Sequence, residues 1–173
     1  MLSALEDAGT TRRGYFVEGL GAAQFASPGA VDQLRLQARD LTARQPGEAR
    51  DVILLSACDP ANPYGAALPW PGSPADKTVG HRPGRKAGAV VVLVDGDLAV
   101  YVERGGRSVL GFASDSQTLS EAFGAIAAAV RKGSMGTITI QRFNSIAVGL
   151  SDVVAPLEEA GFSLTPRGMR VRP

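Results

Sequence analysis

The sequence is short of the residues that most site chemistry needs. Among its 173 residues stand one cysteine, Cys58, and one histidine, His81. A lone thiol forms no internal disulfide, and one Cys with one His makes no metal cluster. The chain is therefore expected to hold no metal and to suit a reducing, cytoplasmic setting. Charge is nearly balanced, with 18 Lys and Arg against 17 Asp and Glu, a net +1. No global field draws such a chain to nucleic acid or membrane, so any basic footprint must be local. The longest apolar run, 87–94, is too short to cross a bilayer, and no signal-peptide pattern opens the chain, so no membrane partner is expected. No internal repeat is visible. What is present, 45% apolar and 20% charged residues, is an ordinary globular balance. It is enough for one domain with a sizeable core and a small appendage.

The N-terminal stretch carries the most information. Leu2 to Gly9 reads as the last two turns of a helix, stopped by Gly9 at its C′ position. From Arg13 to Phe25 two short apolar, aromatic runs are broken by Gly19 and Gly21, a strand–turn–strand signal. A helix followed by a hairpin is how a winged-helix domain ends. Residues 1–27 are therefore expected to be a winged-helix remnant, a helix end plus a wing, whose earlier helices belong to a larger polypeptide. Ser27-Pro28-Gly29 starts the next helix, since Ser27 suits the cap and Pro28 the first helical position. Ala30, Val31, Leu34 and Leu41 share one face, which predicts a linker helix within 28–47, ended by Gln45-Pro46-Gly47.

The remainder, 48–173, reads as one domain. Asp51 to Ala57 is a short apolar strand, followed by an irregular segment from Cys58 to Arg85 with six prolines and four glycines. A loop of that length is usually functional or mobile. The run from Lys86 to Val94 ends at Asp95-Gly96, a strong hairpin signal, and Asp97 to Glu103 and Ser108 to Phe112 complete a three-strand meander. Ser114 to Lys132 predicts a helix capped by Ser114 or Asp115, striped by Leu119, Ala122, Phe123, Ile126 and Val130, and closed by Gly133. A strand at 136–142, a continuation at 146–148, a helix near 151–160 and two strands at 162–164 and 168–171 follow. Pro156 pushes the start of that helix toward Val153. The fold class expected is α+β: a mostly antiparallel, barrel-like sheet with two or three helices, preceded by the remnant hairpin.

Four stretches carry a family resemblance. They are Arg12 to Phe25 (RRGYFVEGLGAAQF), Asp59 to Pro71 (DPANPYGAALPWP), Gly80 to Gly96 (GHRPGRKAGAVVVLVDG) and Ala160 to Arg172 (AGF…PRGMRVR). In this order they resemble the C-terminal end of bacterial Lhr-type large helicase-related proteins, over nearly the whole chain. The resemblance implies a parent with two RecA-like motor domains, winged helices and a terminal β-barrel. Such a parent is an ATP-driven DNA translocase and 3′-to-5′ helicase with a role in DNA repair. It also implies DNA and upstream domains of the same polypeptide as partners; a homo-oligomer is the partner expected if the chain is an oligomerisation module. ATP and Mg would belong to the motor domains, because this chain has no G-x-x-x-x-G-K-[ST] and no Asp-Glu box. The same region resembles bacterial DNA glycosylases built from winged helices and a barrel. Their Gln-apolar-Asp tripeptide is absent: Gln24-Phe25-Ala26 and Gln141-Arg142-Phe143 lack the acid. No catalytic residue is carried over, and this chain is expected to be a non-catalytic module for DNA binding or assembly. A part in a base-excising glycosylase unit and a pure oligomerisation or docking role are the alternatives.

Two basic groups are the candidate nucleic-acid contacts. Lys77, His81, Arg82, Arg85 and Lys86 form the densest cationic run, with no acid between Lys77 and Lys86. Such side chains neutralise phosphates, although a solvated loop or a contact to a neighbouring domain explains them equally simply. Arg12, Arg13 and Tyr15 open the expected wing, where arginine and an aromatic can grip phosphate or stack on a base. Packing on the missing helices is the plainer reading for Tyr15 and Phe16. Asp59, in a loop with Asn62, Tyr64 and Trp70, is the one weak catalytic candidate, since a glycosylase needs a carboxylate near a flipped base. Asx-turn chemistry before proline explains that loop without catalysis, and Trp70 is expected to lid the barrel mouth. Cys58 reads as a structural thiol. Arg167, Arg170 and Arg172 alternate along the last strand, either guarding a sheet edge, the favoured reading, or touching DNA.

Overall fold

A computed structural model describes residues 1–21, 23–43, 45, 48–72 and 82–173. The chain divides into two compact units, Met1–Ala49 and Arg50–Pro173.

In the first unit helix α1 (Leu2–Asp7) ends at Gly9, whose φ of 71° is the left-handed turn that glycine adopts without strain. The Gly9 and Thr10 amides then close back on the Glu6 and Leu5 carbonyls. Strands β1 (Arg12–Gly14) and β2 (Gln24–Ala26) pair antiparallel, with Arg13 opposite Phe25. The aromatic run that suggested a strand lies instead in the loop between them. Helix α2 (Pro28–Ala43) follows, its first turn capped by the Ser27 hydroxyl, which accepts from the Ala30 amide at 3.3 Å.

The second unit is built on β3 (Val52–Ser56), β4 (Val90–Val94), β5 (Asp97–Val102) and β6 (Ser108–Gly111), paired antiparallel in sequence order. The β4–β5 turn, Asp95-Gly96, has φ of 53° and 89°, the two positive values of the tight turn that matches strand twist. Helix α3 (Ser116–Arg131) crosses back, after which come β7 (Ile138–Ile140), β8 (Arg142–Phe143) and β9 (Ile146–Ala147). Strand β8 joins β6 in parallel and pairs with β9, giving a six-stranded sheet in the order β3-β4-β5-β6-β8-β9. A 3-10 turn (Val148–Leu150), helix α4 (Val154–Glu159) and strands β10 (Ser163–Thr165) and β11 (Gly168–Val171) complete the unit. Pro156 sits in the first turn of α4, where its missing N–H is no loss.

The fold is α+β with mostly antiparallel pairing. The six-stranded sheet stays open, with β3 and β9 at its edges, so it is barrel-like at most. Strand β11 is not an edge strand. It lies between β10 and β7, which removes the edge-guarding role expected of Arg170 and Arg172.

Both faces of the central hairpin are buried, which is why β4 reads as a continuous apolar run rather than an alternating one. One face packs Val92, Val94 and Val100 against Leu119, Phe123, Ile126 and Val130 of α3. There Phe123 meets Phe143 and Phe162 edge-on, each at 6.3 Å between ring centres. The other face presents Val91, Leu93, Tyr101 and Leu110 to Tyr64, Leu68 and Trp70 of the proline-rich segment. Helix α3 is capped by Asp115, whose carboxylate accepts from the Thr118 amide at 2.7 Å and from the Thr118 hydroxyl. Arg50 reinforces this end, donating to Thr118 Oγ1 at 2.8 Å and to Glu121 Oε2 at 2.7 Å. Hydrogen bonds from Thr118, side chain first and then backbone, hold the Asp115 carboxyl below its usual range, helped by the Arg50 charge.

Candidate nucleic-acid interface

The wing-like hairpin of the first unit is organised by one side chain. Gln24 accepts at Oε1 from the Phe16 and Val17 amides (3.0 and 2.8 Å) and donates from Nε2 to the Val17 and Gly21 carbonyls (2.8 and 2.6 Å). An amide has both donors and an acceptor, so a single glutamine satisfies four loop backbone groups that have no strand partner. The Phe16 ring folds over Gly14, where a Cβ would stand 2.7 Å from its Cζ. Tyr15 is left outward, 62% exposed, its hydroxyl accepting from the Gly19 amide at 3.3 Å. Arg12 and Arg13 are both exposed, but successive strand residues face opposite sides. Arg12 has a loose ion pair with Asp32 at 3.9 Å, leaving Arg13 on the other face.

In the second unit the basic segment divides. Lys77 and His81 lie outside the described residues. Arg82 and Lys86 are exposed. Arg85 is turned inward: Nη1 donates to the carbonyls of Asn62 (2.7 Å) and Tyr64 (3.4 Å), Nη2 to those of Cys58 (3.2 Å) and Asp59 (3.0 Å). A guanidinium gathers four carbonyls because its donors fan out in one plane. Thus Arg85 fastens the proline-rich segment, and its fork is not open to a phosphate. Asn62, fully buried, completes this brace by donating to the Ala57 carbonyl (3.0 Å) and accepting from the Tyr64 amide (3.1 Å).

Asp59 fits the turn reading. Its Oδ1 accepts from the Ala61 amide at 2.8 Å, an Asx turn that sets the chain before Asn62-Pro63. Trp70 stacks on Tyr64 (6.4 Å) and meets Tyr101 edge-on (5.7 Å), closing the apolar face of β4 and β5 rather than a barrel mouth. Gly65, at φ 75°, is required there, because any Cβ would run into the Trp70 indole. The Tyr64 hydroxyl bridges the Gly96 carbonyl and the Leu98 amide, each at 3.3 Å. Burial pushes the phenols of Tyr64 and Tyr101 up, and Glu103 adds to the rise at Tyr101. Among the described residues no group of three His, Cys, Asp or Glu is placed to hold a metal ion, and no helix is long and apolar enough to cross a membrane.

Sequence reasoning missed Gln24 and the inward turn of Arg85. The only signal for the first was a lone glutamine closing a glycine-rich loop. The second has no local signal, since the carbonyls it gathers lie 21 to 27 residues upstream.

Residues 1–46 match the winged-helix domain of large helicase-related proteins, a stretch that includes α2 as well as the hairpin. Over 99% of its length the chain is 46% identical to a protein of Mycolicibacterium smegmatis described as an Lhr helicase and probable uracil glycosylase. Over 96% of its length it is 40% identical to the Lhr helicase/uracil glycosylase of Escherichia coli. The chain spans only 12% and 10% of the length of these two relatives.

Proposed function

Starting from a chain that belongs to the Lhr-type large helicase-related family, we propose that it is a non-catalytic C-terminal module that holds DNA for an ATP-dependent 3′-to-5′ helicase acting in DNA repair. ATP and Mg are used by motor domains elsewhere in that protein, since this sequence carries no phosphate-binding loop. The observation that carries the proposal is the hairpin: a loop pinned by Gln24 that holds Tyr15 outward, two residues from the exposed Arg13. A braced loop loses little entropy on binding, and an exposed aromatic next to a cation suits stacking on a base beside a phosphate. Arg12, shared with Asp32, and the exposed Arg82 and Lys86 add charge, whereas Arg85 serves the fold.

Fluorescence anisotropy with a labelled single-stranded oligonucleotide, from 50 to 200 mM salt (conditions on the order of those over which phosphate contacts are resolved), tests this. Arg13→Glu with Tyr15→Ala, and separately Arg82→Glu with Lys86→Glu, are expected to weaken binding and flatten its salt dependence. Binding unchanged in both variants would remove these residues from the interface.

A second reading rests on the descriptions of the two relatives, which include uracil glycosylase. On it, this module forms part of a base-excising unit. Uracil release by the full-length protein that survives replacement of each Asp and Glu in residues 50–173 places that chemistry outside those residues.

A further inference from the structure

A second cationic site lies on the opposite part of the sequence from the wing. Arg131, Arg170 and Arg172 converge on a cleft of about 310 Å³, which Gly161, Ser163 and Thr165 also line. The three guanidiniums come from two places in the fold. Arg131 ends α3, Arg170 lies within β11, and Arg172 follows it by the two-residue step that puts both on one face. Met169 and Val171 point the other way, into the core. Because β11 is the central strand of its sheet, these arginines do not protect an edge.

The partners of each side chain define what is left over. Arg170 donates Nε to Thr139 Oγ1 at 3.1 Å, which fixes its plane and, among the described residues, leaves both terminal nitrogens for another acceptor. Arg131 reaches the Ala160 and Gly161 carbonyls through one nitrogen only, at 3.4 and 3.5 Å. Gly161 is what admits it there, since a Cβ at that position would collide with the guanidinium. Thr165 gives its hydroxyl proton to the Gly168 carbonyl at 2.7 Å, so Ser163, directly opposite Arg170 in the ladder, supplies the uncommitted hydroxyl donor. Among the described residues no Asp or Glu lines the cleft, and none of the three arginines forms an ion pair. Three like charges around one concavity repel one another, and in a chain with 17 acidic residues the absence of a carboxylate there is informative. An anion reverses the sign of that interaction. Planar guanidiniums suit tetrahedral oxyanions because each offers two parallel N–H donors.

We propose that the Arg131–Arg170–Arg172 cleft binds a phosphate group, and that a phosphodiester of DNA supplies it. This rests on the DNA-holding reading above and gives the second unit its own phosphate contact. The cleft is open to solvent at exposed side chains, which suits a group carried on a polymer, and a free phosphate is the other source of the same chemistry.

Two measurements on the full chain test it. Anisotropy with a labelled single-stranded oligonucleotide compares the wild type with Arg172→Gln and with the double variant Arg170→Gln/Arg172→Gln. The expected result is a several-fold loss of affinity and a salt slope shallower by about one per arginine removed. Among the described residues the Arg172 side chain makes no hydrogen bond, so its single variant keeps the test valid should the double variant unfold. Titration of inorganic phosphate, followed by the amide resonances of 161–172, is expected to saturate in the wild type and not in the double variant. Wild-type DNA binding that is identical in the arginine variants overturns the cleft as a DNA contact and leaves the wing reading standing. Absence of any wild-type DNA binding overturns the parent reading and the DNA source together, and saturable phosphate binding then assigns the cleft to a free phosphate. No saturable phosphate shift and no variant effect overturn the site altogether.

Discussion

Arg85 separates two accounts of the same residue. A phosphate-binding account makes its removal weaken DNA binding in a chain of unchanged stability. The geometry makes it a clamp: four carbonyls, at residues 58, 59, 62 and 64, accept from its two terminal nitrogens. Hydrogen bonds that involve a charged group contribute about 1.5–3 kcal/mol each when buried. Here Arg85 is only half-buried, and two of the four bonds are long, so water replaces part of what is lost. About 2–3 kcal/mol for Arg85→Gln is therefore the reasonable total, a large share of the stability of an ordinary domain. Arg85→Lys should recover little of it, because an ammonium cannot reach carbonyls fanned over a planar fork. Urea unfolding followed by Trp70 fluorescence reads the effect directly, because Trp70 packs on the segment that the clamp fastens. A variant with wild-type midpoint and slope, yet weakened DNA binding, would refute the clamp and return Arg85 to the basic interface.

Three further outcomes are expected. Asp115→Ala removes the cap of α3 and should cost about 1 kcal/mol in thermal or urea unfolding. Since the folded Asp115 carboxyl titrates below its ordinary value, the stability it contributes is complete above the unfolded value of about 3.9 and disappears as pH falls through the folded one. The difference between wild type and Asp115→Ala should therefore shrink in acid. Gly168→Ala should destabilise by more than about 2 kcal/mol, because φ is 122° and the added Cβ would drive into the Ile140 carbonyl. Gln24→Ala should leave global unfolding nearly unchanged but speed hydrogen exchange at the Phe16 and Val17 amides, which lose their acceptor. Exchange at wild-type rates would mean that the loop is ordered by something else.

Local chemistry made much of this molecule readable in one dimension. The α3 stripe, its Asp115 cap and its Gly133 stop are encoded within a few residues of where they act, as are the Asp95-Gly96 turn and the Ser27 cap of α2. Period, caps and turns depend on neighbours along the chain, so a sequence displays them. Tertiary pairing alone decided the rest. The parallel joining of β8 to β6 and the central place of β11 depend on segments tens of residues apart. That placement turned the alternating arginines from an edge guard into one wall of a cleft completed by Arg131. The same holds for Arg85, which looked like part of a solvated basic run until the proline-rich segment folded back and set its carbonyls around the guanidinium. A charge in a sequence has a sign but no neighbours; only folding decides whether it meets a carbonyl, a carboxylate or open solvent.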